Sequence, residues 1–158
     1  SLNDALLKGL MGDPSLAEQV TLSAYEALVR GEIDGLRQHL ERLYASIPHD
    51  WYRKNPIAHY EGYWAIVFYS HLAALGLELI AEDVTHHGCI DLTVKLPERI
   101  YLFEFKVVPD EPEGAALAQL LAKGYAEKYR GGWLPVHLVG IEFSKRARNV
   151  VALDAVTG

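Results

Sequence analysis

The order of its elements predicts that this 158-residue chain is an α/β or α+β domain, with helices packed on a mixed sheet. Two observations carry that expectation. Apolar residues recur at helical spacing as far as Gly76, and two-residue alternation replaces that spacing from Leu77 onward. A stretch rich in helix formers, 115–129, then lies between two sets of strand-like runs. Half of the residues are hydrophobic and 23 % are charged, which suits a globular protein rather than a disordered one.

In chain order, Asp13-Pro14 is a helix start, a capping side chain followed by proline at the first helical position. Leu16, Val20, Ala24 and Leu28 follow on one face, and Gly31 ends the helix. Ile33, Leu36, Leu40 and Leu43 mark a second amphipathic helix running to about Ala45. Ser46 to Lys54 reads as a loop. Asn55-Pro56 repeats the start signal and opens a long helix to about Leu75, closed by Gly76.

"LELIAEDV" then reads as a strand. "CIDLTVKL" alternates, with Ile90, Leu92 and Val94 on one face and Asp91, Thr93 and Lys95 on the other. "LPER" is a turn and "IYLFEFKVV" the next strand, so the two are expected to form a hairpin. Ala115 to Tyr129 reads as one helix, and "GGW" breaks away from it. "VHLVGIEF" and "VVALDAV" read as closing strands.

The chemistry begins with two misfits. Six of the first eight residues of "IYLFEFKVV" are aromatic or aliphatic, a run expected in a strand covered on both faces, yet Glu104 and Lys106 interrupt it. Ionised groups in such a place cost several kcal/mol, on the order of the buried-charge penalty, unless paired or ligated. Residues i and i+2 of a strand share a face about 7 Å apart, so Glu104 and Lys106 point together, away from Tyr101, Phe103 and Phe105. The hairpin brings Asp91 beside Glu104. Two adjacent carboxylates repel each other, and a divalent cation relieves the repulsion; Mg²⁺ is typically held by one or two of them. A lysine alongside suits metal-assisted phosphodiester hydrolysis. Glu61, on the apolar helix face with Ile57, Trp64, Ala65 and Phe68, is a fourth candidate, to ligate a second metal or to position a water. The plainer reading of the same residues is a structural ion-pair network, with Glu61 accepting hydrogen bonds.

Asp91 followed by Glu104-Phe105-Lys106 resembles the D…ExK signature of the PD-(D/E)XK nuclease superfamily, whose fold is restriction-endonuclease-like. The surrounding text, "SIPHDWYRKNPIAHYEGYWAIVFYSHLAALGLEL", "EDVTHHGCIDLTV", "RIYLFEFKVV", "ALAQLLAKGYAEKYRG" and "VHLVGIEFSKRARNV", is similar to the domain of that superfamily found C-terminal to an AAA-type ATPase module in bacterial proteins. The resemblance implies a helical connector over residues 1–45 and a nuclease-like domain over 46–158. It implies site residues Glu61, Asp91, Glu104, Lys106 and Gln119, with Mg²⁺ or Mn²⁺ held by Asp91, Glu104, the Phe105 carbonyl and Glu61. One departure stands out: the family's G-R-x-D is here Gly88-Cys89-Ile90-Asp91, with His86, His87 or Lys123 as partial substitutes for the arginine. Gln119 and Lys123 share a helix face, whereas Tyr125 reads as core.

Three functional classes follow. The first is a metal-dependent nuclease acting on DNA ahead of RNA. The second is an inactive nuclease-like accessory domain serving an ATPase, and the third a purely structural interaction domain, which leaves the buried charges unexplained. The net charge of −6 argues against nonspecific coating of nucleic acid but leaves room for a local basic patch such as Lys145, Arg146 and Arg148. With a single cysteine, no apolar run long enough to span a bilayer and no signal-peptide pattern, the expected location is the cytoplasm. The chain opens on Ser1 rather than Met, as expected of a processed chain or a piece of a longer one.

Overall fold

The computed structural model describes residues 14–47, 61–85 and 88–158. By contacts it divides into a helical unit, Ser1–Gly76 with Arg148–Val150, and a sheet unit, Leu77–Ala147 with Val151–Gly158.

In the helical unit, α1 (Pro14–Arg30) and α2 (Ile33–Ala45) fall where the apolar spacing put them. Gly31 turns the chain between them at φ +71°, a left-handed conformation that a side chain resists, and the Glu32 N–H bonds back to the Ala27 carbonyl at 2.9 Å. Ala24 and Leu28 of α1 and Leu36, Leu40 and Leu43 of α2 are buried. Helix α3 is described from Glu61 to Ala73 and is followed by a turn ending at Gly76, so its expected start at Asn55-Pro56 lies outside the described residues. It buries Trp64, Val67, Phe68 and Leu72. Tyr44 of α2 donates to the Trp64 carbonyl at 2.8 Å, which gives its buried hydroxyl a partner. No helix of the described residues is long and apolar enough to cross a membrane.

In the sheet unit, β1 (Glu78–Thr85), β2 (Gly88–Lys95), β3 (Ile100–Val108), β4 (Val136–Ser144) and β5 (Asn149–Thr157) lie side by side in chain order. β1–β2 and β2–β3 are antiparallel hairpins, while β3 and β4 are parallel from Ile100↔Val136 to Val108↔Ser144. A parallel neighbour requires a crossover, supplied by α4 (Ala115–Lys123) and a 3₁₀ segment, η1 (Tyr125–Tyr129). Val136 and Gly158 exchange both backbone hydrogen bonds, the antiparallel pattern, so β5 returns beside β4. The result is an α+β, restriction-endonuclease-like arrangement of a mixed five-stranded sheet with helices. Every residue of β4 is buried, as befits a strand covered on both faces.

Two local expectations are corrected. The helix expected over 115–129 stops at Lys123, because Gly124 takes φ +64° and the chain continues as the tighter η1. Ile90 also leaves the row of Leu92 and Val94: it packs with Leu102, Leu120 and Tyr125 on the α4 side of the sheet. At this level Glu82 of β1 is left-handed at φ +52°, and Glu82 and Asp91 both drop out of the β1–β2 pairing while the register is kept. That break reverses the alternation, so Asp83 and its register partner Ile90 both face α4.

Candidate active site

The site grows out of the point where the β2–β3 ladder ends. Pairing runs from Lys95↔Ile100 to Leu92↔Phe103 and then stops, short of Phe105. There the Asp91 carboxylate reaches across: its Oδ2 accepts from the Phe105 N–H at 2.9 Å. Asp91 is thereby held beside Glu104, as the hairpin register leads one to expect.

Glu104 is 2 % exposed. Burial and then the neighbouring Asp91 charge push its carboxyl up to about 7, while Lys106, the Asp91 backbone and Gln119 pull the other way. Gln119, one turn from the end of α4, donates from Nε2 to Glu104 Oε1 at 2.5 Å. The other oxygen, Oε2, is buried and has no hydrogen-bond partner among the described residues. Lys106 is half-buried on the same strand face and forms no ion pair with any described carboxylate. The arrangement in which Lys106 is locked between both acids is therefore absent among the described residues.

The close approach of α4 has a specific cause. Gly140 of β4 is the register partner of Glu104, and a Cβ there would lie 2.2 Å from the Leu117 nitrogen. Only a glycine lets the helix backbone settle onto the sheet at this point and carry Gln119 to Glu104. Tyr125 belongs to the apolar cluster, as the sequence led one to expect, but its hydroxyl also reaches the site: it hydrogen-bonds with Gln119, and burial followed by the Glu104 charge raises its pKa. Its hydroxyl would stand 3.0 Å from a Cβ at Gly88, where φ is +132°.

Of the residues singled out from sequence, Asp91, Glu104, the Phe105 backbone, Lys106 and Gln119 come together. Glu61 begins the described part of α3 in the helical unit, and its side chain lies outside the described residues, as do His86 and His87. Lys123 and Cys89 are exposed. In the basic cluster, Arg146 is paired with Asp110 at 3.0 Å. Two buried acids were not singled out. Glu142 of β4 accepts the N–H groups of Glu113 and Ala115, both at 2.7 Å, at the start of α4. Asp83 accepts from Thr93 Oγ1 at 2.7 Å, from Lys128 Nζ and from the Tyr129 hydroxyl. The signal that revealed Glu104, a charge within an apolar strand, was present at both.

The donor set fits a hard divalent cation. Two carboxylates, one with a buried oxygen left over, match the one or two that Mg²⁺ usually takes, and a cation would relieve the repulsion that raises Glu104. No group of three or more His, Cys, Asp or Glu side chains converges among the described residues.

Comparison with known proteins places the sequence in a family. Residues 59–153 match the family model described as PD-(D/E)XK nuclease superfamily. The chain is also 53 % identical over 151 residues to a protein of Azotobacter chroococcum mcd 1 described as "Uncharacterized protein in vnfD 5'region". That match covers 96 % of this chain and 29 % of the relative, so the chain spans under a third of the relative's length. No solved structure matches the chain. With its family model spanning β1 to β4 and the first part of β5, and the ExK pair in place, the chain belongs to the PD-(D/E)XK nuclease superfamily.

Proposed function

We propose that this domain is a divalent-metal-dependent nuclease that hydrolyses phosphodiester bonds, with DNA as its substrate ahead of RNA. The observation that supports it most is the buried Oε2 of Glu104, beside Asp91 and without a hydrogen-bond partner among the described residues. A buried acid left unsatisfied and raised toward neutrality is costly in a purely structural network and useful at a cation site.

In this reading Asp91, Glu104 and the Phe105 carbonyl would hold Mg²⁺ or Mn²⁺. The cation supplies charge neutralisation on the phosphate and a more acidic bound water. Lys106 orients the attacking water and offsets charge that builds on the phosphoryl oxygens. Gln119 holds the Glu104 carboxylate in one rotamer and favours its ionised form. Asp91 is fixed beside Glu104 by the Phe105 N–H.

The domain is further proposed to work in the cytoplasm as the C-terminal module of a longer chain. Residues 1–45 would be the connector to an AAA-type ATPase, which the extra length of the relative can accommodate. One observation favours an inactive, regulatory variant of the same domain. Cys89 stands where the resemblance to the superfamily implies an arginine before Asp91, and a cysteine offers no guanidinium to a phosphate.

Cleavage assays on single- and double-stranded DNA and on RNA, with Mg²⁺, Mn²⁺ or chelator, separate the two. A nuclease cuts at least one substrate in a metal-dependent way, and Asp91→Ala or Lys106→Ala abolishes the cutting. No cleavage under any metal, or equal cleavage by all three proteins, rejects the enzymatic reading.

A further inference from the structure

The helix that brings Gln119 to Glu104 is held by two buried acids that do not themselves touch Glu104's carboxylate. At one end, Glu142 is 1 % exposed and spends both oxygens on N–H groups at the start of α4. A carboxylate at a helix N-terminus satisfies orphan donors and complements the helix dipole. At the other end, Asp83, also 1 % exposed, receives Lys128 and Tyr129, the last two residues of η1, together with Thr93 of β2. Between these anchors lie the Gly140 seat under Leu117, then Gln119 and Tyr125.

The arrangement at Asp83 is dearly bought. The left-handed backbone at Glu82, which costs on the order of 1 kcal/mol for a non-glycine residue, is what turns Asp83 to the α4 side. Apolar packing of Leu120, Tyr125 and Ala126 holds the middle of the α4–η1 arm, and the left-handed Gly124 separates α4 from η1, so the two acids fix its ends. Without both anchors, the arm has freedom to slide by a fraction of a turn, and the Gln119 amide leaves Glu104.

We propose that Glu142 and Asp83 are positioning residues that clamp the α4–η1 arm at its two ends and so keep the Gln119 amide on Glu104. The consequence for cation binding rests on the reading of Asp91 and Glu104 as metal ligands; the clamp itself does not. The mechanism is mechanical and runs through Gln119: an outer partner fixes an inner ligand, and loss of such partners commonly weakens metal affinity about tenfold or more.

The test therefore has a metal-free arm and a metal arm. In the metal-free protein, the Gln119 side-chain amide is followed by nuclear magnetic resonance, where its bond to a carboxylate is expected to give slow hydrogen exchange. Glu142→Gln, which preserves size, is expected to speed that exchange at least tenfold while the sheet amides stay protected. Asp83→Asn repeats the measurement from the other end, so a folding failure of either variant leaves the other decisive. In the metal arm, calorimetric titration with Mn²⁺ is expected to show roughly three- to tenfold weaker binding for Glu142→Gln, but less than a twofold change when Gln119 is already alanine. Unchanged Gln119 exchange in both variants overturns the clamp. So does an equal loss of Mn²⁺ affinity in both Gln119 backgrounds, because the acids would then act on global stability alone. Failure of the wild type to bind Mn²⁺ sinks the metal reading and leaves the clamp to be judged on the exchange data.

Discussion

Gln119 Nε2 lies 2.5 Å from Glu104 Oε1, and this contact satisfies one oxygen of a buried acid whose other oxygen has no partner among the described residues. The half-satisfied carboxylate sits in the only part of β3 where charge interrupts the apolar run. Its cost to folding and its use in function are two sides of one arrangement.

The first expectation concerns stability. The folded-state pKa of Glu104 is raised from 4.5 to about 7, so this group favours the folded state most below its unfolded value. That contribution is lost as pH rises through about 7, and the difference amounts to about 3 kcal/mol by linkage. Metal-free Glu104→Gln is therefore expected to melt several degrees higher than wild type at pH 8, with the gap closing toward pH 5. Thermal melts across that range check it, and equal pH slopes for the two proteins would contradict it.

Lysine 106 is expected to matter for turnover more than for substrate affinity. Lys106→Ala should lower kcat about a hundredfold or more while KM moves by less than a factor of about five, because the amine is assigned to the attacking water and the developing charge. Steady-state cleavage kinetics on whichever substrate the wild type cuts give both numbers. A rise in KM alone would reassign Lys106 to binding.

Cys89 is exposed, so an arginine, as the resemblance to the superfamily implies for this position, should be accommodated there without repacking. Cys89→Arg is expected to tighten nucleic-acid binding about fivefold at low salt and to steepen the salt dependence by about one counterion. Fluorescence anisotropy at several salt concentrations measures both. No change in affinity or slope would show that the phosphate does not pass this position.

In the helical unit, His71 is fully buried, and burial followed by the His39 charge lowers its pKa from 6.5 to about 4. A base with a depressed folded pKa stabilises the fold above its unfolded value and loses that contribution as pH falls toward the folded one. Acid unfolding of the helices should begin between about pH 6.5 and 4. His71→Leu should shift the midpoint downward, as read by circular dichroism at helical wavelengths.

Much of this architecture was legible because its signals are local. Cap-plus-proline pairs, period changes and turn residues are read within a few positions, and they placed α1, α2 and all five strands closely. The candidate site was legible for a related reason, since charges in an apolar strand stand out against their neighbours. What escaped depends on distant partners or on backbone conformation. Glu142 finds its N–H partners 27 and 29 residues away, and Asp83 meets Lys128 and Tyr129 45 and 46 residues on. A left-handed Glu82 has no sequence marker, so Ile90 was assigned to the wrong face. Gly124 looked tolerable inside a helix until its φ of +64° showed the helix ending there.

Anomalous diffraction from a crystal soaked in Mn²⁺ bears most directly on the central reading. A Mn²⁺ peak within coordination distance of Asp91 and Glu104, lost in Glu104→Gln crystals, is the expected result. An empty map at saturating Mn²⁺, or the Lys106 ammonium lodged between the two carboxylates where the ion belongs, would leave this chain with the superfamily's fold and without its chemistry.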